Sequence, residues 1–559
     1  MAKDEYKGKK RKDNKMRRSL LLVLALIMLL SIVSACNEAT TPPVQTSGTS
    51  TSQSPSTGTT TTPGGNSPAN ETPSQVESVK YKEHITIIAS SAPFAINRFL
   101  PGSGNFTLME ILLCVGDRLV DEKEGVGYIP MLATEWHTDD WKVFTFKLRD
   151  DVYFHNGEHF TADDVVFTFE HAKGLTGTDT FDRLGRFIEK AEAISDYEVK
   201  VTLNVVNVDF LDCVSWAYST IANRKACEDD PENGHEIGTG PFMFDDYVLN
   251  EYVTISRNDN YWGEIPKSKK LTFLWVTEQT ARMLMLENRE VEVAWETNFG
   301  TDYPYIESDD RFIANKYIAH APIYIGFNMT DPVCGDINFR KAVVSAIDKE
   351  MLISVSRNGY AVPPTNGSFW GYGTEFMNTS IPVFPYDTEK AKEYLAQSVY
   401  NGEEITITAA LPNAVTDAQL LQEILGQIGI KIKVNQTDIA GINAVTMYSD
   451  NKCQILIHTG NWNNTANSVR SFYSPNASVN RTSYDNPQIV ELLETVGTIL
   501  DKAERERVYQ EIQRLAAEDM PFTVLYYNEH MGGSLQGIEG LDLRANAAHR
   551  FAYVYMIEQ

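Results

Sequence analysis

Cysteine is scarce in this chain, and no two cysteines have the spacing of a metal or redox pair. Six of the 559 residues are cysteines, and none forms a Cys-x-x-Cys motif. Such pairs are typical of zinc ribbons and thiol-disulfide catalysts, so the sequence predicts neither kind of site. Apart from Cys36 near the N-terminus, the cysteines are Cys114, Cys213, Cys227, Cys334 and Cys453. Since five is odd, at least one of these thiols stays free, whatever disulfides the other four form.

Motifs of several enzyme classes are also absent. The sequence has no Gly-x-Ser-x-Gly, and the pair Gly238-Thr-Gly240 lacks the lysine or third glycine of a phosphate-binding loop. The run His155-Asn-Gly-Glu-His159 has the spacing of an inverted zinc-peptidase motif. That chemistry needs both imidazoles on one face of a helix, whereas Asn-Gly predicts a turn. We therefore expect no catalytic residue, no metal site and no cofactor.

Positive charge is in short supply beyond the N-terminus. The chain has 49 basic and 75 acidic residues, a net charge of −26. Residues 1–35 hold nine of the basic and three of the acidic residues, so the remainder has 40 basic and 72 acidic residues and a net charge of −32. A surface this acidic repels nucleic acid, and we expect no nucleic-acid partner.

Only one long apolar run occurs, from Leu20 to Val33, and Ser31 interrupts it. The run is too short for an ordinary transmembrane helix, which needs about 20 residues. Basic residues precede it and Ser34-Ala35-Cys36 follows, as in a secretory signal that ends in small residues. These residues resemble the bacterial lipoprotein box. The resemblance implies that 1–35 is a signal peptide and that Cys36 becomes the lipidated first residue.

The next segment is rich in Ser, Thr, Pro and Gly. From Asn37 to about Ser78 it has almost no apolar residues, so it cannot bury enough surface to fold. We predict that 36–80 comprises the lipidated cysteine and a disordered linker. A long spacer behind a lipid suggests an exported protein held on the outer face of the cytoplasmic membrane, in a cell of the Gram-positive type.

From about Tyr81 onward, strand and helix patterns alternate. The run Glu198–Leu203 alternates with the period of two that is typical of a strand. Thr161 precedes two acids and an apolar stripe, which predicts the start of a helix. Another helical stripe ends at Gly429, and a strand follows from Ile430. These patterns predict an α/β fold of two or three compact units, since about 480 residues exceed one ordinary core.

Several longer motifs occur together between residues 128 and 522. They are YIPMLATEW (128–136), FTFKLRDDVYFHNGEHFTADDVVFTFE (144–170), IGTGPFMFDDY (237–247), RNDNYWG (257–263), GFNM (326–329), NFRKAVVSAID (338–348), YDTEKAK (386–392), IGIKI (428–432) and EDMPF (518–522). In this order they resemble the family 5 extracellular solute-binding proteins, the oligopeptide, dipeptide and nickel receptors of ABC importers. The resemblance covers roughly 81–559.

This resemblance implies a type II, periplasmic-binding-protein-like α/β fold with two lobes joined by a hinge and an extra subdomain in the first lobe. Lobe one would comprise 81–100, 238–325 and 523–559, the extra subdomain 101–237, and lobe two 326–522. A solute would lie between the lobes and close them. The implied partners are a peptide or other small solute and an ABC permease with its ATPase subunits, and we expect the receptor to be a monomer.

The segment around Trp462 carries the ligand prediction. In peptide-binding relatives, the corresponding Trp is followed three residues later by an Asp that pairs with the amino end of the peptide, whereas Thr465 stands here. If a free amine is not the anchor, N-acetylated peptides should bind about as well as free ones. Arg470 is the candidate for pairing with a ligand carboxylate. The residues predicted to line the site are Trp462, Asn463, Asn464, Arg470, Trp295, Glu296 and Tyr324.

A peptide is the leading prediction for the solute. Nickel chelates and oligosaccharides are alternatives within the same fold, and nickel would need histidines, of which His458 alone lies near the Trp462 segment. A ligand sensor without transport is another alternative, and uptake unchanged by gene deletion would favour it. A lipid-anchored hydrolase belongs to a different class, which turnover of a peptide or glycoside would favour.

Overall fold

Strands and helices alternate along the chain from residue 84 onward. The structure, a computed structural model, describes residues 79–89, 91–93, 95–100, 106–123, 126–175, 182–297, 302–438, 441–442, 446, 453–460, 462, 465–475, 477, 480–546 and 549–558. The predictions for the signal peptide, for Cys36 and for the linker up to residue 78 lie outside these residues. Within the described ranges, no helix combines the length and the apolar character that spanning a membrane requires.

The strands are numbered in chain order. They are β1 (His84–Ala89), β2 (Val120–Lys123), β3 (Gly127–Pro130), β4 (Ala133–His137), β5 (Val143–Leu148), β6 (Ile188–Ser195), β7 (Glu198–Leu203), β8 (Phe242–Val248), β9 (Tyr252–Arg257), β10 (Lys270–Trp275), β11 (Val293–Thr297), β12 (Phe312–Phe327), β13 (Ala361–Val362), β14 (Glu404–Ala409), β15 (Lys431–Gln436), β16 (Ile455–Thr459), β17 (Phe522–Leu535), β18 (Ile538–Glu539) and β19 (Tyr555–Met556).

The helices are numbered in the same way. They are α1 (Phe106–Val115), α2 (Ala162–Gly174), α3 (Asp182–Gly185), α4 (Phe210–Ser215), α5 (Arg224–Asp229), α6 (Gln279–Glu287), α7 (Tyr303–Ser308), α8 (Ile337–Ser345), α9 (Lys349–Ser356), α10 (Thr388–Gln397), α11 (Pro412–Gln427), α12 (Thr465–Tyr473), α13 (Pro487–Val496) and α14 (Lys502–Asp519), with short 3-10 turns at Ala217–Ser219 and Gly234–Glu236.

Local patterns explain several of these elements. Strand β7 has the predicted bounds and alternates between buried and half-buried residues. Helix α2 begins after Thr161 as predicted, and the Thr161 backbone N–H donates to the Asp164 carboxylate at 3.0 Å. Gly429 ends the α11 segment with a φ of 98°, which glycine adopts readily. These predictions are confirmed, because each depends on neighbouring residues alone.

One large sheet runs through most of the fold. Among the described residues it has eleven strands in the order β15-β14-β16-β12-β17-β11-β1-β10-β9-β8, with β13 paired to β17. Strands β1 and β10 are parallel, as are β14 and β15, whereas β12 and β17 are antiparallel to each other. Helices cover the sheet, as the mixed α/β pattern predicts.

Strands β12 and β17 join two hydrophobic cores. At one end, Phe312 and Leu535 are buried with residues of β1 and β10. At the other end, Ile325 and Leu525 are buried with residues of β14 and β16. The pairing register of the two strands shifts between Ile318 and Pro322 and again between Ile323 and Tyr324, so the irregular pairing begins between the cores and reaches the edge of the second one.

A smaller antiparallel sheet, β4-β5-β7-β6, packs with helix α2 around a third core. The sequence-based boundary at residue 101 places helix α1 with this subdomain. In the structure, Leu108 and Leu112 of α1 instead pack in the core that contains β1, because the helix lies against the large sheet. The five described cysteines are free thiols.

Candidate ligand-binding site

Trp462 lies in a packed aromatic cluster. Its side chain is 1% exposed, and its ring stacks on Phe472 with 5.7 Å between centroids. Phe369 meets the indole edge-on at 5.7 Å. Gly371 approaches so closely that an added Cβ would come within 2.1 Å of the indole Cδ1. The predicted binding residue is therefore held rigidly, with little of its own surface open.

Tyr324 belongs to the same cluster. Its ring is edge-on to Phe369 at 5.1 Å and to Phe472 at 6.0 Å. Tyr324 lies inside β12, and pairing with β17 holds the strand on both sides of it. The Tyr324 hydroxyl and the Trp462 indole nitrogen are buried without a hydrogen-bond partner in the described part of the chain.

Trp295 lies in a different cluster, on strand β11. Its ring stacks on Tyr317 at 5.6 Å and is edge-on to His549 at 4.8 Å. The backbone N–H of Arg544 donates to Nδ1 of His549 at 2.9 Å, so Nε2 carries the proton and donates to the Tyr317 hydroxyl at 3.0 Å. Burial holds the pKa of His549 well below its usual value, which keeps the imidazole neutral. Glu296 follows Trp295 in the same strand.

Arg470 of helix α12 lines a cavity of about 320 Å³. The cavity lies between residues of the extra subdomain and the C-terminal helices α13 and α14. A backbone hydrogen bond from Val208 to the Gly497 carbonyl, at 3.2 Å, joins the two sides. Its apolar wall includes Phe187, Val205 and Val206. Its polar lining comprises Asn207, Asp209, Arg470, Glu494, Thr498 and Tyr509.

Asp209 and Arg470 give this cavity groups of opposite charge. Burial raises the pKa of Asp209 to about 7, helped by the Asp212 carboxylate and opposed by Arg505 and Arg470. Burial likewise lowers the pKa of Arg470, an effect that Tyr509 and Asp209 offset in part. Within the described ranges, no ion pair of 4.0 Å or less joins Asp209 to Arg470. Each charge thus faces the same space without direct neutralisation.

Tyr509 connects the cavity with the aromatic cluster. Its ring is edge-on to Trp370 at 5.8 Å and stacks on Phe376 at 5.1 Å. The residue is 1% exposed, yet its hydroxyl has no hydrogen-bond partner among the described residues. Tyr509 therefore couples the wall of the cavity to the packed rings.

The predicted site residues therefore fall into three places. The structure brings Trp462 and Tyr324 together, places Trp295 and Glu296 on β11, and places Arg470 at the cavity. Asn463 and Asn464 lie outside the described residues.

Asp209 and Tyr509 belong to none of the motifs that predict site residues from the sequence. A signal for Asp209 exists, because it interrupts the apolar run VVNVDFLDCV (205–214), and an acid in such a run is a candidate for burial. Tyr509 offers no comparable signal, since it lies in a helix rich in charged residues.

The histidines of the zinc-like motif occupy a turn, as predicted, with Gly157 at a φ of 84°. Nδ1 of His155 accepts from the Gly238 N–H at 3.2 Å, and its Nε2 contacts the Gly240 carbonyl at 3.0 Å. Nε2 of His159 contacts the Asp150 carbonyl at 2.9 Å. Backbone groups thus hold both imidazoles. In the described part of the chain, no three His, Cys, Asp or Glu side chains are grouped to hold a metal ion.

Comparison with known families gives a match over most of the described chain. Residues 127–484 match the model of the bacterial extracellular solute-binding proteins, family 5 (middle region). The chain is 26% identical over 431 residues to the oligopeptide-binding protein AppA of Bacillus subtilis, covering 70% of this chain and 77% of that protein. It is 27% identical over 410 residues to the glutathione-binding protein GsiB of Pectobacterium atrosepticum, covering 69% of this chain and 78% of that protein.

A known crystal structure shows the same architecture. The ABC transporter substrate-binding protein CtaP of Listeria monocytogenes superposes with a TM-score of 0.76 at 24% identity, covering 86% of this chain and all of that chain. The likeness confirms the predicted type II, two-lobed α/β fold.

Proposed function

This chain belongs to the bacterial extracellular solute-binding proteins of family 5, and we propose that it captures a peptide between its two lobes and delivers it to an ABC permease. The observation that carries the proposal is the cavity between the extra subdomain and helices α13 and α14. It combines an apolar wall with polar groups of both charges, and a peptide presents the same combination. The relatives named for oligopeptide and glutathione binding support a peptide as the solute.

We propose lobe bounds that are compatible with the three cores and with the strands that join them. Lobe one comprises 81–100, 238–325 and 523–559, with helix α1 added on its packing; the extra subdomain occupies the rest of 101–237, and lobe two 326–522. Closure about β12 and β17 would bring the lobes together on the solute, and the register shift near Ile318 is a suitable hinge, since an irregular ladder bends more easily than a regular one.

The N-terminal residues supply the location in this proposal. Residues 1–35 direct export, Cys36 carries the lipid, and the linker holds a monomeric receptor at the outer face of the cytoplasmic membrane. The permease and its ATPase subunits are the partners. The lipid keeps the receptor near them, because a cell with one membrane has no outer membrane to retain it.

A binding experiment on the full chain in detergent tests the proposal. We expect a pool of synthetic di- to pentapeptides to raise the unfolding temperature, since ligand at ~100 times its dissociation constant adds roughly 2.7 kcal/mol. Nickel-histidine and maltotriose serve as the competing solutes. Stabilisation by either of these, with none by peptides, would contradict the peptide assignment.

A further inference from the structure

Three charged side chains line the cavity, and two of them, Asp209 and Arg470, have opposite charge and come from different parts of the fold, whereas the third, Glu494, belongs to helix α13. Asp209 comes from the start of helix α4 in the extra subdomain, and Arg470 comes from helix α12 in lobe two. Asp209 is the N-cap residue of α4, yet its side chain makes no capping hydrogen bond. Neither residue has an ion-pair partner within 4.0 Å among the described residues. The two charges are therefore available to a third molecule.

Unpaired charges in a partly buried cavity are unfavourable unless something compensates them. A charge removed from water needs an opposite charge and hydrogen bonds close by. Arg505 acts on Asp209 and Glu494 acts on Arg470 only through longer-range attraction, so a single zwitterion in the space that Asp209 and Arg470 share can pair with both directly. Tyr509 contributes to the wall of the same cavity.

We propose that Asp209 binds the free amino group and Arg470 the carboxylate of one short peptide held in this cavity. The inference rests on the proposed function as a peptide receptor and adds to it which groups recognise the two peptide ends. Asp209 would also provide the carboxylate that a peptide amine requires. The Asp expected three residues after Trp462 is replaced by Thr465 in this chain. The two ends are fixed from different cores, so binding draws the extra subdomain and lobe two together.

The size and lining of the cavity define the ligand class. A volume of about 320 Å³ lies at the small end of ligand sites, which span roughly 300–1,000 Å³. Because both charges line this one small space, the amine and the carboxylate must belong to a short molecule. Phe187, Val205 and Val206 favour apolar side chains between them. Apolar dipeptides with both ends free fit this description.

The test measures calorimetric binding of valyl-leucine, its N-acetyl form and its C-terminal amide to the full chain in detergent. N-acetylation should weaken binding to the natural protein about 10- to 100-fold, since it removes a charge-assisted hydrogen bond. In Asp209→Asn, free and acetylated dipeptides should bind within about threefold of each other. Arg470→Gln should abolish the preference for the free carboxylate over the amide in the same way. This coupling between a ligand group and a residue is a readout that a purely structural role would not produce.

Glu491→Gln is the matched control. Glu491 is exposed on helix α13, one turn from the cavity residue Glu494, so its loss should leave both preferences unchanged. If the full chain binds the free and acetylated dipeptides equally, or if Asp209→Asn keeps the preference for a free amine, the inference is wrong and the peptide receptor remains. If the full chain binds none of the pooled peptides, the proposed function itself fails, and the inference fails with it.

Discussion

The aromatic cluster around Trp462 and the cavity around Arg470 are contacted by the same short helix, α12, yet they differ in almost every physical respect. Phe472 of this helix stacks on Trp462, in a cluster whose rings are nearly all buried. Arg470, two residues earlier, lines a space with Asp209 and Glu494. The cluster is packed and filled by its own side chains, whereas the cavity is lined by charged groups that form no ion pair with one another in the described part of the chain.

This difference suggests separate roles for the two regions, with the cluster providing rigidity and the cavity recognising the solute. A close-packed aromatic cluster resists deformation and has no room for a solute. The cavity has space and charge, and Tyr509 ties it to the cluster through its contacts with Trp370 and Phe376. We infer that the cluster supports the cavity and that the cavity contacts the solute.

The largest expected loss of stability comes from a substitution in the aromatic cluster. Trp462→Ala should lower the free energy of unfolding by about 3–5 kcal/mol, because it opens a void among tightly packed rings. Arg470→Gln, on the cavity side of the same region, should change it by less than about 1 kcal/mol. Urea unfolding followed by circular dichroism measures both. Equal losses of stability in the two variants would contradict the view that the aromatic cluster is tightly packed and the cavity is not.

A smaller effect is expected where the backbone touches the cluster. Gly371→Ala should lower the free energy of unfolding by about 1–3 kcal/mol, since the new methyl group would collide with the Trp462 ring. The matched control is Gly426→Ala in helix α11, where nothing lies within 4 Å of the added Cβ. That change should stabilise the protein by about 0.4–1 kcal/mol. Thermal unfolding of the two variants compares them, and a neutral Gly371→Ala would show that the cluster adjusts easily.

The last prediction concerns how the free energy of unfolding depends on pH. Asp209 in the cavity and His458 beside the aromatic cluster should affect it with opposite signs. Burial raises the pKa of Asp209 to about 7 in the folded protein, above its unfolded value near 4. Its contribution to stability therefore declines as the pH rises from about 4 to 7. Asp209→Asn should therefore gain stability relative to the natural protein as the pH rises over this range. Unfolding midpoints measured at pH 5 and pH 8 give the difference.

His458, which borders the cluster beside Tyr324, supplies the counterpart. Burial lowers its pKa to about 4, and Arg481 adds to the shift. The stability that depends on its neutral form is present above the unfolded pKa of about 6.5 and is lost as the pH falls toward 4. His458→Asn should therefore soften the acid destabilisation, and an unchanged acid profile would contradict this assignment.

Much of the fold could be predicted because its signals are local. Strand β7 and the start of helix α2 follow from alternation and from the Thr161 cap. Strand β12 shows where this reasoning ends. Only its last few residues, around Gly326, have a recognisable motif, whereas the strand runs from Phe312 because β17 pairs with it over most of its length. That pairing joins segments far apart in the chain.

The candidate site was predictable only in part, for a similar reason. Trp462 and Arg470 stand out by residue type, but residue type does not show that one ring is enclosed while the guanidinium lines a cavity. Asp209 carries a faint signal as an acid in an apolar run. Its importance depends on Arg470 and Tyr509, which approach it through the packing of separate cores.

The sequence by itself determined the chemistry available to this protein: its strong negative charge, its single N-terminal apolar run and the ordered motifs of its family. These properties depend on composition and on nearby residues, which folding does not alter. Only the tertiary structure decided that the Trp462 ring is enclosed by other aromatic rings and that Asp209 and Arg470 share one cavity. Burial and charge pairing depend on distances between residues that lie far apart along the chain, and the packing of the two lobes sets those distances.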